Sequence, residues 1–382
     1  MKNKRNIPIS LPSTGLEEWE AIKDPLVSGW ITAGPKVREF EDLFAEKHGV
    51  KHAIAVTSAT TALHLSLVAL GIGEGDEVIV PAFTWVSTAN VVLYCKAKVV
   101  FIDIDIKTFN INISDLKNKI TNKTNAIIPV HLFGLCADID KIREISGDKI
   151  HIIEDAACAA GSVYKDRFAG SLGDIGCFSF HPRKIITTGE GGMITTNNDE
   201  LAEKVSMLRN HGASISEEQR HYGPKPYVLP SFNVLGFNYR MTDLQGSMGI
   251  IQVGKLSALI KERSKWAEFY ISELRELDWI DIPDFNHTTY THSWQSFVTM
   301  VNEIKSPGTR NQIMEKLQNA GISTRPGTHA VHMLNFYKKI MSINEDDFPE
   351  SKKANNFSMS IPLHNQMVSE DYKYVIKIMR SI

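Results

Sequence analysis

Lys184 lies in the part of this sequence that is richest in residues able to do chemistry. It stands between an apolar run and a turn rich in hydroxyl and glycine residues, within Gly176–Met193. A lysine amine, with an ordinary pKa of about 10.4, becomes a nucleophile when burial or nearby cations lower that pKa. His181 and Arg183 are such neighbours in sequence. A lone loop lysine is usually only solvated, but the glycines here would let a bound group approach the backbone closely.

Two other features lie where strands are predicted to end. Asp155 closes the apolar run that begins at His151. Ligands of open α/β sheets bind outside the carboxyl ends of the strands, and a carboxylate there could keep a pyridinium nitrogen protonated. The segment Val56–His64 places hydroxyl residues at the start of a predicted helix, where backbone N–H groups favour a phosphate. Ordinary helix N-caps would also explain both features.

The elements that position these residues have the pattern of an α/β fold. Several strand candidates are apolar almost throughout, which is typical of strands buried on both faces of a parallel sheet. Helical patterns between them indicate βαβ units with right-handed crossovers. The predicted strands are His52–Thr57, Glu77–Pro81, Lys98–Ile104, Ala126–Val130, His151–Glu154, Ile175–Phe180 and Gly192–Thr196. The predicted helices between them are Thr61–Leu70, Thr88–Cys95 and Asp138–Ile145.

The pattern changes near residue 246, where a long charged helix is predicted over Leu244–Leu274. A strand-like run and two further helical patterns follow. We therefore predict a large domain, residues 1–245, with a mostly parallel central sheet flanked by helices. Residues 246–382 would form a smaller C-terminal α+β domain. Residues 216–232 read as a long loop and, with His211, are candidates for the substrate side of a site.

The composition indicates an ordinary globular protein of 382 residues, with 43% hydrophobic residues, 23% charged residues and a net charge of −2. This charge balance predicts a small-molecule partner and no nucleic acid. The four cysteines are widely spaced, which argues against a zinc site and a disulfide framework. No apolar run approaches the roughly 20 residues of a membrane span. No apolar segment follows the basic N-terminus, so we expect no signal peptide and a cytoplasmic location.

Taken together, the motifs resemble the DegT/DnrJ/EryC1/StrS family of sugar aminotransferases, which belongs to the fold-type I enzymes that use pyridoxal 5′-phosphate (PLP). The most specific run is FSFHPRKIITTGEGGM, residues 178–193. The resemblance covers nearly the whole chain and implies a fold-type I aminotransferase fold with PLP as cofactor. The supporting runs are Ser28–Glu41, Pro81–Asn90, Pro129–Gly134 and Gly236–Gln245.

The resemblance also implies roles for individual residues at the cofactor. Lys184 matches the lysine that forms a Schiff base with PLP, and Asp155 matches the acid that pairs with the pyridine nitrogen. Trp85 matches the aromatic residue that stacks on the cofactor ring. Asn238 matches an asparagine that reaches the phosphate from the neighbouring subunit, which implies a homodimer with shared active sites. The other implied cofactor contacts are Ala59, Thr60, Cys158 and Ser179.

The activity implied is transfer of an amino group from glutamate or glutamine to a keto sugar. The usual acceptor in the family is a nucleotide-linked keto-deoxysugar, made for lipopolysaccharide, capsule or antibiotic pathways. Lys184 would also move the proton between the donor and the cofactor. The candidate substrate contacts are Trp30, His181, Arg325, His329, His332 and Tyr337.

Three positions depart from the common family pattern. Ala59 stands where glycine is common, Leu135 where glutamine is usual, and Cys158 where glutamine or histidine often contacts the phenolic oxygen of the cofactor. A thiol is a weak donor, so the contact from Cys158 is in question.

Other functions stay open at this point. A PLP-dependent sugar dehydratase would carry histidine in place of Lys184. The acceptor could also be a smaller phosphorylated ketone. A non-catalytic sensor on the same scaffold would be expected to lose Lys184, Asp155 or Trp85, and this sequence keeps all three.

Overall fold

A computed structural model describes residues 5–215 and 227–382 of the chain. Its strands, in chain order, are β1 His52–Val56, β2 Glu77–Pro81, β3 Phe83–Thr84, β4 Lys98–Ile102, β5 Thr124–Ile127, β6 His151–Asp155, β7 Val163–Tyr164, β8 Arg167–Phe168, β9 Ile175–Ser179, β10 Gly192–Thr196, β11 Ile280–Asp281, β12 Tyr290–Thr291, β13 Phe297–Val301, β14 His329–Ala330 and β15 Ser358–Ile361.

The helices fill the connections between these strands. The α-helices are Leu16–Ala21, Lys23–Ser28, Pro35–His48, Ala59–Ala69, Ser87–Tyr94, Ile113–Lys119, Ile139–Ser146, Asp199–Arg209, Asp243–Leu274, Arg310–Asn319, Asn335–Ile340, Pro349–Phe357 and Ser369–Met379. Short 3₁₀ turns lie at Leu132–Gly134, Val331–Met333 and Glu345–Asp347.

Seven strands form the central sheet, in the order β1-β10-β9-β6-β5-β2-β4. Every neighbouring pair is parallel except those of β10, which runs antiparallel to both β1 and β9. The predicted mostly parallel sheet is confirmed, and each of its seven strands lies where the sequence predicts one, within a few residues. All five residues of β2 and all five of β10 are buried, as the apolar pattern requires.

Helices cover both faces of this sheet. The helix Pro35–His48 buries Phe40 and Phe44 in the core on one face. The helix Ala59–Ala69 buries Leu63 and Leu65 in the core on the other. Each helix therefore places one apolar side against the sheet, and the loops at the carboxyl ends of the parallel strands stay open for a site.

The C-terminal part has its own antiparallel sheet, in the order β11-β13-β15, and its own apolar core. The helix Asp243–Leu274 belongs to both parts, because Leu256 packs in a core of the central sheet and Tyr270 packs in the C-terminal core. Ile7, near the N-terminus, also lies in the C-terminal core and pairs with Ile322. The division at residue 246 stays a prediction, and it falls in the first turn of a helix that joins the two cores.

In residues 5–215 and 227–382, the structure contains no helix that is both long and apolar enough to span a membrane.

Candidate active site

Lys184 lies on the loop between β9 and β10, and the fold anchors this loop at several points. The N–H of Lys184 donates to the carbonyl of His181 at 2.8 Å, which forms a tight turn. The next residue, Ile185, is buried in the core. The N–H of Thr187 then donates to the side chain of Gln252 at 3.1 Å. Because the loop is fixed on both sides of the lysine, the amine has a defined position.

The amine of Lys184 contacts the thiol of Cys158. The distance from Nζ to Sγ is 3.1 Å. Cys158 lies on the turn that follows β6, where the N–H of Ala159 donates to the carbonyl of Ala156 at 2.9 Å. The residue that departs from the family pattern is therefore in direct contact with the reactive lysine.

Asp155 ends β6, at the carboxyl edge of the sheet, and only 4% of its surface is exposed. The hydroxyl of Thr88 donates to Oδ2 at 2.8 Å, and the N–H of Ala157 donates to Oδ1 at 3.2 Å. Burial raises the pKa of Asp155; the two hydrogen bonds and the charge of Lys184 oppose this but leave the pKa raised. Cys158, which the amine of Lys184 contacts, lies three residues after Asp155, so the lysine and the aspartate belong to one site.

Glu154, which the sequence analysis did not single out, is fully buried one residue before Asp155. Its two oxygens accept four hydrogen bonds. Three come from backbone N–H groups in residues 170–173 at 2.7–2.8 Å, and one comes from Nε2 of His131 at 2.8 Å. Nδ1 of His131 accepts from the N–H of Ala137 at 3.0 Å, so its proton is on Nε2. This network fixes β6 beneath Asp155. The sequence signal that could have identified Glu154 was an acid within an apolar strand, because a buried carboxylate needs hydrogen-bond donors.

The predicted phosphate turn follows β1. Ser58 caps the helix that begins at Ala59, and its hydroxyl accepts from the N–H of Thr61 at 3.2 Å. Gly192 of β10 lies directly against this turn, since a Cβ atom there would be 2.4 Å from the carbonyl carbon of Ser58 and 2.8 Å from the N of Ala59. Ala59 and Thr60 open the helix, where backbone N–H groups lack partners within the helix. The turn can thus present donors to an anion.

Ser179 and Asn238 are the other predicted phosphate contacts. Ser179 ends β9 and pairs with Gly192, so it lies beside the phosphate turn. Asn238 is exposed, and the adjacent Tyr239 accepts a hydrogen bond at 3.1 Å from the N–H of Thr57 at the end of β1. Asn238 is therefore the neighbour of a residue that contacts the end of β1, just before the phosphate turn. Its role across a subunit boundary stays a prediction.

Trp85 follows the short strand β3 and is 58% exposed, as an aromatic residue that receives a flat ligand would be. Its ring meets that of His329 edge to face, with centroids 5.5 Å apart. Thr84 pairs with His329 through the β3–β14 ladder, which sets this contact. The structure thus brings one candidate substrate residue to the predicted cofactor face.

Basic side chains lie around the reactive lysine. His181 is half-buried, and its Nε2 lies 3.9 Å from a carboxylate oxygen of Glu190. Burial lowers the pKa of His181, and the charges of Lys184 and Arg183 lower it further, while Glu190 opposes them. Arg325 is exposed on the segment before β14, and the charge of Arg183 acts on it. His181 is therefore close to Lys184, and Arg325 is close enough to Arg183 to feel its charge; their roles as substrate contacts stay predictions.

Two substrate-side predictions are wrong. His332 is fully buried, and a ring nitrogen contacts the carbonyl of Glu345 at 3.2 Å. Tyr337 is also fully buried, and its hydroxyl donates to the side chain of Asn90 at 2.7 Å. Both belong to the packing beneath the loop, so neither side chain is available to a substrate.

Three other substrate-side predictions stay untested. Trp30 packs its indole against Gly34, where a Cβ would overlap the ring. His211 follows the helix Asp199–Arg209 with a positive φ of 59°, and its N–H donates to the carbonyl of Phe237 at 2.8 Å. Of the predicted loop 216–232, residues 216–226 lie outside the described residues.

The residues present fit PLP group by group. The helix start at Ala59 offers N–H donors for a phosphate, and Gly192 gives that turn room that a side chain would fill. Asp155 is a buried carboxylate able to hold a ring nitrogen protonated. Lys184 is an amine in the same site, held on a fixed loop. One ligand with a phosphate, a basic ring and a reactive carbonyl would use all three.

A model of the DegT/DnrJ/EryC1/StrS aminotransferase family matches residues 12–380. The chain belongs to this family. It is 38% identical to the spore coat polysaccharide biosynthesis protein SpsC of Bacillus subtilis, over 100% of this chain and 99% of that protein. It is 37% identical to GDP-perosamine synthase of Caulobacter vibrioides, over 98% of each chain. The PLP form of Spr1654 from Streptococcus pneumoniae superposes with a TM-score of 0.89 at 29% identity, over 98% of each chain.

The aminotransferase is therefore PLP-dependent, and the predicted family, fold class and cofactor are confirmed. PLP, when bound, supplies an electron sink for the charge that develops on a substrate carbon. The residues that would hold it are Lys184, Asp155, Trp85, Ser179 and the turn at residues 58–60.

Proposed function

We propose that this aminotransferase moves an amino group from glutamate or glutamine to a keto sugar, specifically a nucleotide-linked keto-deoxysugar. The product would serve surface polysaccharides such as lipopolysaccharide, or antibiotic sugars. The names of two relatives, a GDP-perosamine synthase and a polysaccharide biosynthesis protein, support a sugar acceptor. The observation that carries the nucleotide assignment is a pair of arginines, Arg183 and Arg325, beside the reactive lysine.

Both arginines are attached to the same strand pair of the C-terminal sheet. The carbonyl of Arg183 accepts a hydrogen bond at 3.1 Å from the side chain of Gln295, just before β13. The N–H and carbonyl of Arg325 pair with Ser360 in β15, at 3.2 and 2.7 Å. Since β13 and β15 are neighbours, the backbones of the two arginines are held at one end of one sheet.

The two guanidinium groups carry positive charge that the described part of the chain does not neutralise. Burial and the charge of Arg183 lower the pKa of Arg325. Within residues 5–215 and 227–382, neither side chain has a carboxylate within ion-pair distance. Paired guanidinium groups bind phosphate oxygens through charge-assisted hydrogen bonds. A diphosphate linker would supply the missing negative charge, whereas an unphosphorylated sugar would not.

The residues of the chain have distinct tasks in the transfer. Nζ of Lys184 takes a proton from the α-carbon of the donor and later returns one to the acceptor. The carboxylate of Asp155, which is buried and held by Thr88, would keep the ring nitrogen of PLP protonated. Trp85 and His329 form an aromatic wall that orients the bound molecules.

We also propose that the enzyme works as a homodimer with shared active sites, in which Asn238 reaches the neighbouring phosphate. The support is a set of large apolar side chains left exposed near the N-terminus and on the segment before Asn238. Light scattering of the purified protein should give twice the chain mass. This set comprises Leu16, Trp19, Val27, Tyr227, Leu229, Phe232 and Leu235.

The activity is tested by absorbance of the PLP-loaded enzyme before and after L-glutamate or L-glutamine. The donor should convert the lysine-bound PLP spectrum to that of the pyridoxamine form, and a nucleotide-linked keto-deoxysugar should reverse the change. Lys184→Ala should abolish both changes, whereas Lys261→Ala, at an exposed lysine, should leave them intact. Substantial transamination in Lys184→Ala would contradict the assignment.

The acceptor class is tested by the arginines. Arg183→Gln and Arg325→Gln should each raise the KM for the nucleotide-linked sugar by about tenfold or more, which corresponds to the loss of one charge-assisted contact. The KM for the amino donor should change much less. Equal effects on both substrates would contradict a diphosphate site. A smaller phosphorylated ketone that reacts faster than the nucleotide-linked sugar would overturn the proposed substrate. A deoxygenated sugar product without an amine would overturn the proposed reaction.

A further inference from the structure

Cys158 is held with its thiol against the reactive lysine. Its Sγ lies 3.1 Å from Nζ of Lys184. The tight turn that contains Cys158 fixes its backbone, and its carbonyl lies 3.4 Å from the hydroxyl of Ser293, which donates to it. The side chain is only partly buried, so it faces the site and not the core. Contact at this distance allows an amine and a thiol to share a proton.

The other three cysteines have the opposite surroundings. Burial raises the pKa of Cys95 to about 11 and raises the pKa values of Cys136 and Cys177 as well. Cys136 and Cys177 are also closed off from solvent. A thiolate forms most readily beside a cation in a partly exposed position. Among the four cysteines, Cys158 has both properties.

We propose that Cys158 is a positioning residue that shares a proton with Lys184 and holds its amine in the site whenever the amine is not joined to the cofactor. The proton moves between Sγ and Nζ, so a neutral thiol and amine exchange with a thiolate and ammonium. No other reactant is required. Two charged or titratable groups that interact electrostatically with Lys184 are Asp155 and His181. Asp155 favours the ammonium, and a protonated His181 would oppose it.

This inference rests on the PLP site and not on the proposed sugar, because the pair exists whichever acceptor binds. Each time Lys184 is released from the cofactor, its amine must stay within reach of the substrate carbon and accept a proton there. A thiolate beside it stabilises the ammonium form, and the thiol beside it leaves the amine free to act as base. In this proposal, Cys158 thus affects whether Lys184 is present as the amine or as the ammonium ion.

The first test is thiol reactivity of the enzyme after PLP has been removed. Each cysteine is followed by mass spectrometry during alkylation with iodoacetamide at pH 7. Cys158 should react about tenfold or more faster than Cys95, because a cation beside a partly exposed thiol favours the reactive thiolate, whereas burial raises the pKa of Cys95 to about 11. Lys184→Met should remove that advantage, and Lys261→Met should keep it. An unchanged rate at Cys158 in Lys184→Met would overturn the proton-sharing pair.

The second test uses the loaded enzyme and does not depend on Lys184→Met being folded. The pH profile of kcat with glutamate is measured for the wild type, Cys158→Ala and Cys158→Ser, because Lys184 is released from the cofactor in every turnover. In Cys158→Ala the midpoint of this profile should shift by about half a unit or more, and kcat should fall together with it. Cys158→Ser, which keeps a hydrogen-bonding group but has a hydroxyl that does not ionise in this range, should restore part of kcat and leave the midpoint shifted. A midpoint that is the same in all three proteins would contradict the proposal, even if the sugar assignment were correct.

Discussion

The buried carboxylate of Glu154 offers a sharp test of how the site is supported. The substitution Glu154→Gln keeps the size of the side chain and replaces one oxygen with an NH₂ group. Both oxygens now accept two hydrogen bonds each: Oε1 from two backbone N–H groups, and Oε2 from the N–H of Gly170 and from His131. In either orientation, the NH₂ of glutamine would face two donors.

A change of the histidine tautomer does not relieve this conflict. If Nε2 of His131 gave up its proton to accept from glutamine, Nδ1 would gain one, and it would then face the N–H of Ala137, which now donates to it at 3.0 Å. Two donors are left without acceptors in every arrangement. A hydrogen bond to a charged group contributes about 1.5–3 kcal/mol. We therefore expect Glu154→Gln to lower the free energy of unfolding by about 3–6 kcal/mol.

The assay is equilibrium urea unfolding of the PLP-free protein, followed by tryptophan fluorescence. Glu315→Gln is the matched control, because Glu315 is exposed on the helix Arg310–Asn319. It should change the free energy by no more than about 0.5 kcal/mol. If the free energy of unfolding of Glu154→Gln lay within about 1 kcal/mol of the wild-type value, the four hydrogen bonds would not stabilise β6 as we argue.

Two further predictions concern the phosphate turn and the pH dependence of stability. Gly192→Ala should weaken PLP binding by about tenfold or more in a spectroscopic titration, because its methyl group would push Ser58 out of place. The control is Gly254→Ala, since no atom lies within 4 Å of the new Cβ there. Burial, aided by the charge of His287, lowers the pKa of His292 to about 3. The unfolded chain therefore binds a proton that the folded chain excludes between about pH 6.5 and pH 3, so stability falls as the pH falls through that range. His292→Gln should flatten the slope of unfolding free energy at pH 5 by about 1.4 kcal/mol per pH unit, and an unchanged slope would refute the burial argument.

The main elements of the fold follow from local sequence signals. A short, largely apolar run is typical of a strand buried on both faces, so the strands of the central sheet are evident from their own residues. The antiparallel direction of β10 is different, because it depends on the short connection that returns the chain after Lys184. Periodicity carries no information about strand direction.

The site shows the same division between local and tertiary information. The sequence pointed to Lys184 and Asp155 because Asp155 ends a strand and Lys184 follows one, and both strand ends must lie at the carboxyl edge of the sheet. His332 and Tyr337 were misassigned because they lie in a loop-like sequence, and only the tertiary packing shows that their side chains point into the core. Glu154 was missed because its donors come from residues 170–173, which no local pattern connects to β6.

The C-terminal part bears on the chemistry through contacts that no sequence pattern predicts. Arg263 is buried in the helix Asp243–Leu274, and its guanidinium donates to the carbonyls of Trp294, Gln295 and Leu363. Gln295 in turn donates to the carbonyl of Arg183, next to the reactive lysine. The helix that joins the two cores thus fixes the segment that holds the lysine loop. Because Arg325 is attached to the same sheet through Ser360, the orientation of the C-terminal part sets the distance between the proposed anion site and Lys184.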